Sequence, residues 1–197
     1  MIQSRKRQLR KTIKTELLRL SDDDKQNKSR EIAKNLVKTD FWKKAEAVLC
    51  YLSMDDEVKT ANIIKLALEE KKILAIPHMH GKEMDFHVIT SLDMPWDHHH
   101  YGIKEPRQEW PLLEAADYEE GSVLLITPGL AFDRKGYRLG RGKGFYDRYF
   151  EKYCGIVMPV ALCFALQIVP EVPAEDHDCV VNALITENEC IEIRKND

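Results

Sequence analysis

Residues 123–150 read VLLITPGLAFDRKGYRLGRGKGFYDRYF. The opening run, Val123–Ile126, is short and wholly apolar, the pattern of a strand buried on both faces. At the other end, Gly144–Tyr153 carries apolar residues at helical spacing and reads as an amphipathic helix. Between them stand Gly129, Gly136, Gly140 and Gly142 together with Arg134, Lys135, Arg138, Arg141 and Lys143. A glycine-rich basic loop between a strand and a helix N-terminus suits an anion. Backbone N–H groups approach closely where side chains are missing, the helix dipole favours negative charge, and the cations neutralise the rest. The stretch therefore predicts a site for a phosphate chain. Asp147, one turn into the helix, is placed to hold a metal beside it.

Outward from this stretch the same periodicities recur. Leu9, Ile13, Leu17 and Leu20 predict an amphipathic helix over Arg5–Leu20. Ser21 followed by Asp24 reads as a capping box for a second helix, whose apolar face contains Ile32, Ala33 and Leu36. Phe41–Lys44 reads as a short helical turn, Ala47–Leu52 as a strand, and Ala61–Lys71 as a helix capped by Thr60. Further strands are expected at Ile73–Pro77, Asp85–Ile89, Pro159–Phe164 and Ala183–Ile185. Strands that alternate with helices imply an α/β fold: a mainly parallel sheet flanked by helices on both faces, preceded by an N-terminal helical segment. Ligands of such sheets lie beyond the carboxyl ends of the strands. Ser53–Glu57 and Pro128–Gly144 both fall there. Ser91–Glu120, rich in Pro, Trp, His and acids and without periodicity, reads as a long surface excursion, in the manner of a lid.

Composition narrows the class. At 197 residues, 44% hydrophobic and 32% charged, the chain is expected to form a single domain spanning residues 1–197. The net charge of −3 argues against a surface that is basic overall, so the positive character is local. The five cysteines form no C-x-x-C pair and read as reduced thiols. A basic, polar N-terminus with no apolar core predicts no signal peptide, and no apolar run reaches the ~20 residues of a membrane span. A cytoplasmic monomer that binds neither membrane nor nucleic acid is the expectation.

The loop departs from the common phosphate-binding patterns. A P-loop would place glycine at position 137 and a hydroxyl at 144, where this chain has Tyr137 and Gly144. Gly140, Gly142 and Gly144 give G-x-G-x-G rather than the dinucleotide fingerprint. On composition alone, a flexible basic turn remains an equal reading.

The full order of the segment decides between them. PGLAFDRKGYRLGRGKGFYD, Pro128–Asp147, resembles the signature of the 5-formyltetrahydrofolate cyclo-ligase family, the methenyltetrahydrofolate synthetases. YLSMDDE at Tyr51–Glu57 is similar to that family's folate-contacting strand end, and KRQLR at Lys6–Arg10 to its N-terminal nucleotide-contacting motif. VPAEDHDCVVNALITE, Val172–Glu187, matches more loosely. The resemblance implies conversion of 5-formyltetrahydrofolate, with or without a polyglutamate tail, and MgATP to 5,10-methenyltetrahydrofolate, ADP and phosphate. It implies nucleotide binding by Lys6, Arg7, Gln8, Leu9 and Arg10 and by Arg138, Leu139, Gly140, Arg141, Gly142, Lys143, Gly144, Phe145 and Tyr146. Folate would meet Leu52 and Glu57 and, where formyl oxygen and γ-phosphate converge, Arg141, Gly142, Lys143, Gly144 and Phe145. Lys143 is the first choice for the catalytic cation and Arg141 the second. Asp147 matches a Mg²⁺ ligand. A second metal-associated aspartate is expected where Asn182 stands, which puts direct metal contact there in doubt, since an amide supplies no charge. Phe145 replaces a frequent tyrosine.

Blander readings stand beside these. Lys6 and Arg10, i and i+4 on one helix face, also fit a solvated cationic surface. Glu57, beside Asp55 and Asp56, also fits an exposed carboxylate, and Met54, Tyr137 and Tyr146 also fit core or rim. His78 and His80, alternating at a strand end, either face the folate or simply end the strand. His98–His100 reads as a surface loop, because consecutive residues seldom converge on one ion. Two other functions fit the basic loop: nucleic-acid binding, and a different ATP-dependent transfer on the same scaffold.

Overall fold

The computed structural model describes residues 1–98, 104–175 and 179–193. Helices α1 (Ile2–Arg19), α2 (Asp22–Lys38) and α3 (Asp40–Lys44) precede strand β1 (Ala47–Leu49). Helix α4 (Ala61–Glu69) and strands β2 (Ile73–His80) and β3 (Glu83–Ile89) follow. Short strands β4 (Asp97–His98) and β5 (Lys104–Glu105) lead to β6 (Val123–Thr127), β7 (Ala131–Phe132) and β8 (Arg138–Leu139). The chain continues through α5 (Phe145–Lys152), β9 (Val157–Leu162), β10 (Ala183–Ile185) and β11 (Cys190–Glu192).

The main sheet has seven strands in the order β11-β10-β9-β6-β1-β2-β3. Its five inner strands are parallel, and β3 and β11 add antiparallel edges. Alternate residues of each strand face opposite layers. Val48, Cys50, Leu74 and Ile76 pack with Ile13, Leu17, Ile32, Leu36, Trp42, Ile63 and Ile64 from the first four helices. Ala47, Leu49, Ala75 and Leu125 pack with Tyr146, Tyr149 and Phe150 of α5. Helices therefore cover both faces, as the alternation of elements predicts.

β1 is shorter than its apolar run. Cys50 still donates to the Ala75 carbonyl at 2.9 Å, but the Tyr51 carbonyl accepts from the Thr60 hydroxyl at 2.8 Å and the ladder ends. Thr60 is thus not the side-chain cap expected for α4; its hydroxyl closes the β1–α4 loop instead. The Ser21 cap does form, accepting from the Asp24 N–H at 3.1 Å.

Strand order is what places the site. From β1 the chain passes through α4 to β2 on one side, and later returns as β6 on the other. The crevice at such a reversal, beyond the carboxyl ends of β1 and β6, is the place where open α/β sheets take ligands. Leu49 and Leu125 are in register, so the segments after both strands emerge level.

The basic stretch is not one loop. Ala131 pairs with Leu139 and Phe132 with Arg138, forming a hairpin whose tip is residues 133–137. Asp133 is buried there and accepts from the N–H groups of Lys135 at 2.9 Å, Tyr137 at 3.2 Å and Val172 at 2.9 Å. The Asp133→Ala variant strands these donors. It is expected to destabilise the protein by roughly 3 kcal/mol or more, read from the denaturant midpoint.

Candidate active site

A cleft of about 750 Å³ opens at the β1/β6 reversal. Its volume lies within the range of small-molecule sites. Tyr51, Leu52, Met54 and Glu57 line it from the β1 side, and Pro128, Gly129 and Arg138–Asp147 from the β6 side. Ile76, Pro77 and Met79 add apolar surface from β2, Lys104 and Glu105 come from β5, and Gln3, Lys6 and Arg10 come from α1. The two motif blocks that lie far apart in the chain therefore face one space.

The turn from β8 into α5 depends on glycine. Gly142 and Gly144 have φ of +99° and +72°, in the left-handed region that side chains strain to enter. Gly144 is the residue preceding α5, so the first N–H groups of that helix lie at the cleft wall. A Cβ on Gly142 would also lie 3.4 Å from the Arg10 guanidinium. Arg10 donates from Nε to the Gly140 carbonyl at 2.9 Å, which seats α1 against the turn.

Most cations of the cleft are already engaged. Arg138 is buried, bonds Asp147 at 2.5 Å and lies over the Tyr146 and Phe150 rings. Lys6 meets the Glu175 carboxylate at 3.0 Å, and Gln3 donates to the same oxygen at 3.1 Å. Arg141 reaches across to Asp56 at 2.5 Å and Glu57 at 3.2 Å. Lys143, by contrast, is exposed, lines the cleft and forms no ion pair with the described residues. Arg148 braces the turn from behind: it donates to the carbonyls of Lys82 and Lys143 and covers the Phe145 ring.

Glu57 is 8% exposed. Burial pushes its carboxyl above the ordinary glutamate value, against the pull of the Met54 N–H and of Arg141. The Arg141 guanidinium also loses hydration, but its bonds to Asp56 and Glu57 outweigh that loss and hold it firmly charged. Glu57 is therefore a desolvated acceptor at the cleft wall, not the solvated carboxylate of the blander reading.

Several expected positions are elsewhere. The helical period carries Gln3, Lys6 and Arg10 to the cleft, while Arg7 and Gln8 turn to solvent and Leu9 packs against the core. Tyr137 packs against the core. Met79, between His78 and His80, lines the cleft with Ile76 and Pro77, whereas the two histidines, on one face of the strand, stack on each other and are not among the cleft-lining residues. Arg134 pairs with Glu189 at the hairpin tip. His99 and His100 lie outside the described residues.

Asn182 does not line the cleft. Val180 bridges Tyr137, and Val181 donates to the Gly136 carbonyl at 3.0 Å, so residues 180 and 181 lie along the hairpin tip. Asn182 itself bonds Pro159 and Ile193 through its backbone. The Asn182→Asp variant is expected to leave the Mg²⁺ dependence of turnover unchanged within about twofold; a tighter magnesium titration would return the residue to the metal. Among the described residues no group of three His, Cys, Asp or Glu side chains converges as a metal cage. Glu57, Glu105 and Glu175 also bring carboxylates to the cleft, but Asp147 is the one on the glycine-rich turn's own helix, and one carboxylate there fits Mg²⁺ completed by phosphate oxygens and water.

Sequence reasoning missed Gln3, Met79, Lys104, Glu105 and Glu175. Only Gln3 carried a signal, one turn before Lys6 on the same face. The others belong to a strand end, the Ser91–Glu120 excursion and a loop whose docking depends on the assembled sheet. That excursion folds back on β3, with Leu113 donating to the Phe86 carbonyl at 2.8 Å.

Residues 2–187 match the model of the 5-formyltetrahydrofolate cyclo-ligase family. The chain belongs to that family. It is 33% identical over 200 residues to the 5-formyltetrahydrofolate cyclo-ligase of Mus musculus, covering 95% of this chain and 96% of the mouse protein. A probable 5-formyltetrahydrofolate cyclo-ligase of Schizosaccharomyces pombe is 32% identical over 95% of this chain and 97% of its own. Among solved structures, the Aquifex aeolicus 5,10-methenyltetrahydrofolate synthetase superposes with a TM-score of 0.83 at 29% identity, over 98% of this chain and 94% of that one. The cyclo-ligase family thus accounts for the glycine-rich turn and the Tyr51–Glu57 block together, and the chain is an enzyme of that family.

Proposed function

We propose that this cyclo-ligase joins 5-formyltetrahydrofolate and ATP in the β1/β6 cleft and releases 5,10-methenyltetrahydrofolate, ADP and phosphate. One observation carries the reading: the folate-type block after β1 and the phosphate-type block after β6 line a single cavity and touch through Arg141 and Glu57. Two ligands that exchange a phosphoryl group must lie that close.

The cationic part of the cleft, Lys6, Arg10 and the 140–144 turn, suits the triphosphate. The desolvated Glu57 beside Leu52, Met54 and Met79 suits a flat ring with hydrogen-bond donors on one edge. The formyl oxygen attacks the γ-phosphorus and ADP departs. The neighbouring folate nitrogen then attacks the activated carbon and gives up its N–H proton to water, and phosphate leaves with the oxygen. Lys143 and the first N–H groups of α5 neutralise charge that builds on the transferred group. Arg138 fixes Asp147 at the wall. Bound Mg²⁺ would supply further charge neutralisation on the phosphate oxygens, with Asp147 as its protein ligand.

The same reading includes a single-domain, monomeric, cytoplasmic protein that accepts polyglutamated folate and binds neither nucleic acid nor membrane. No helix among the described residues is long and apolar enough to cross a membrane. Purified protein with Mg²⁺, ATP and 5-formyltetrahydrofolate tests the function through methenyltetrahydrofolate absorbance. ATP-dependent growth of that absorbance is the expected result, and its absence refutes the reading.

A further inference from the structure

The bridge between the two walls of the cleft has an asymmetry. Arg141 makes its short bond, 2.5 Å from Nη2, to Asp56. Its bonds to Glu57 are longer, 3.3 Å from Nε and 3.2 Å from Nη2, and both end on the same oxygen, Oε1. The other Glu57 oxygen accepts from the Met54 N–H at 3.0 Å. A ligand that donates to Oε1 must therefore share or displace the guanidinium there, while Oε2 keeps one lone pair open beside the Met54 N–H. Asp56, with a side chain 26% exposed, stands outside that contact and need not release it. Asp55, one residue earlier, points to solvent and offers no alternative anchor.

We propose that Asp56 is a positioning residue: it keeps Arg141 across the cleft when the folate takes Glu57, and so turns the guanidinium toward the transferring phosphate. This rests on the function proposed above. A guanidinium presents its donors in a rigid fork, so an anchor on one side aims the remaining N–H groups. Nη1 of Arg141 makes no bond to the described residues and is the group left to face the second ligand. Folate binding then improves the phosphate site without moving the backbone, and the two ligands bind cooperatively.

The test uses the full-length protein with Asp56→Ala, the near-isosteric Asp56→Asn, and Asp56→Glu, each checked by thermal unfolding. Affinity for a non-hydrolysable ATP analogue is measured with and without saturating 5-formyltetrahydrofolate, alongside kcat and KM. In the wild type, folate is expected to tighten analogue binding by about tenfold, within the usual span of coupling between sites. Asp56→Ala and Asp56→Asn are expected to lose that coupling and about tenfold in kcat, with the folate KM within twofold of wild type; Asp56→Glu recovers most of both. Unchanged kcat and coupling in Asp56→Ala and Asp56→Asn would overturn the assignment. So would a loss confined to folate KM, which would make Asp56 a folate contact. A wild-type protein that turns over normally while these variants match it sinks this inference alone; a wild type with no turnover sinks the underlying function with it.

Discussion

Lys143→Ala is expected to lower kcat by about 10³-fold while thermal stability stays within a degree or two of wild type. The first half follows from where the charge is. Lys6, Arg138 and Arg141 each have a carboxylate partner within the cleft or at its edge, whereas Lys143 has no ion pair among the described residues. Its field is not spent on the protein, so it is available to a phosphoryl group whose charge spreads in the transition state. Loss of one well-placed group of this kind typically removes 10²–10³ in rate. The second half follows from packing. Lys143 stands exposed between two glycines, Gly142 and Gly144, and contributes nothing to either core. Single-turnover measurement of ADP formation, with unfolding followed separately, decides the matter. A variant that keeps wild-type kcat would remove Lys143 from the chemistry, and a parallel collapse in stability would recast it as structural.

Glu57→Gln is expected to weaken 5-formyltetrahydrofolate binding by about 10- to 100-fold and to change the pH dependence of stability in the opposite sense from a usual surface carboxylate. The binding loss corresponds to one hydrogen bond to a charged acceptor, worth about 1.5–3 kcal/mol. The sign of the stability effect comes from burial. Because burial holds the Glu57 carboxyl above 4.5, the folded protein keeps the proton longer than the unfolded chain does. The folded state therefore binds more protons in the window that opens at about pH 4.5, and stability falls as pH rises through that window to the folded value. Glutamine has no proton to lose. Relative to wild type, the variant should gain stability as pH climbs from 4 toward neutrality and show no such gain below it. Calorimetry of the folate complex and denaturant titrations from pH 4 to 7 measure both. A gain that grows toward acid instead would mean that Arg141 and the Met54 N–H outweigh desolvation.

These two residues were legible in the sequence to different degrees. Lys143 declared itself through its setting, since a cation flanked by glycines before a helix has few structural uses. Glu57 did not. Beside Asp55 and Asp56 its residue type and spacing look like those of one of three solvated acids; the resemblance of Tyr51–Glu57 named it, and burial is the physical property that separates it from its neighbours. Asp133 shows the converse: in a basic, glycine-rich run it invites a functional reading, yet it holds three backbone N–H groups of a hairpin.

What the chain determines locally is the set of elements. The apolar run of β6, the heptad-like face of α1, the Ser21 cap and the left-handed glycines of the turn follow from side-chain spacing and from the φ values each residue tolerates, and these are properties of a few neighbours. The pairing of β1 with both β2 and β6 is of another kind. Several apolar strands of similar length present interchangeable edges, and local spacing does not say which edge meets which; that is settled by how the helices bury both faces at once. The sequence could place Tyr51–Glu57 and Pro128–Gly144 at strand ends, and Lys6 and Arg10 beside them by resemblance; only the tertiary structure set them around one cleft, added Gln3, Met79 and Glu175 to it and left Asn182 out of its lining, because long-range packing selects one strand order where local pattern permits many.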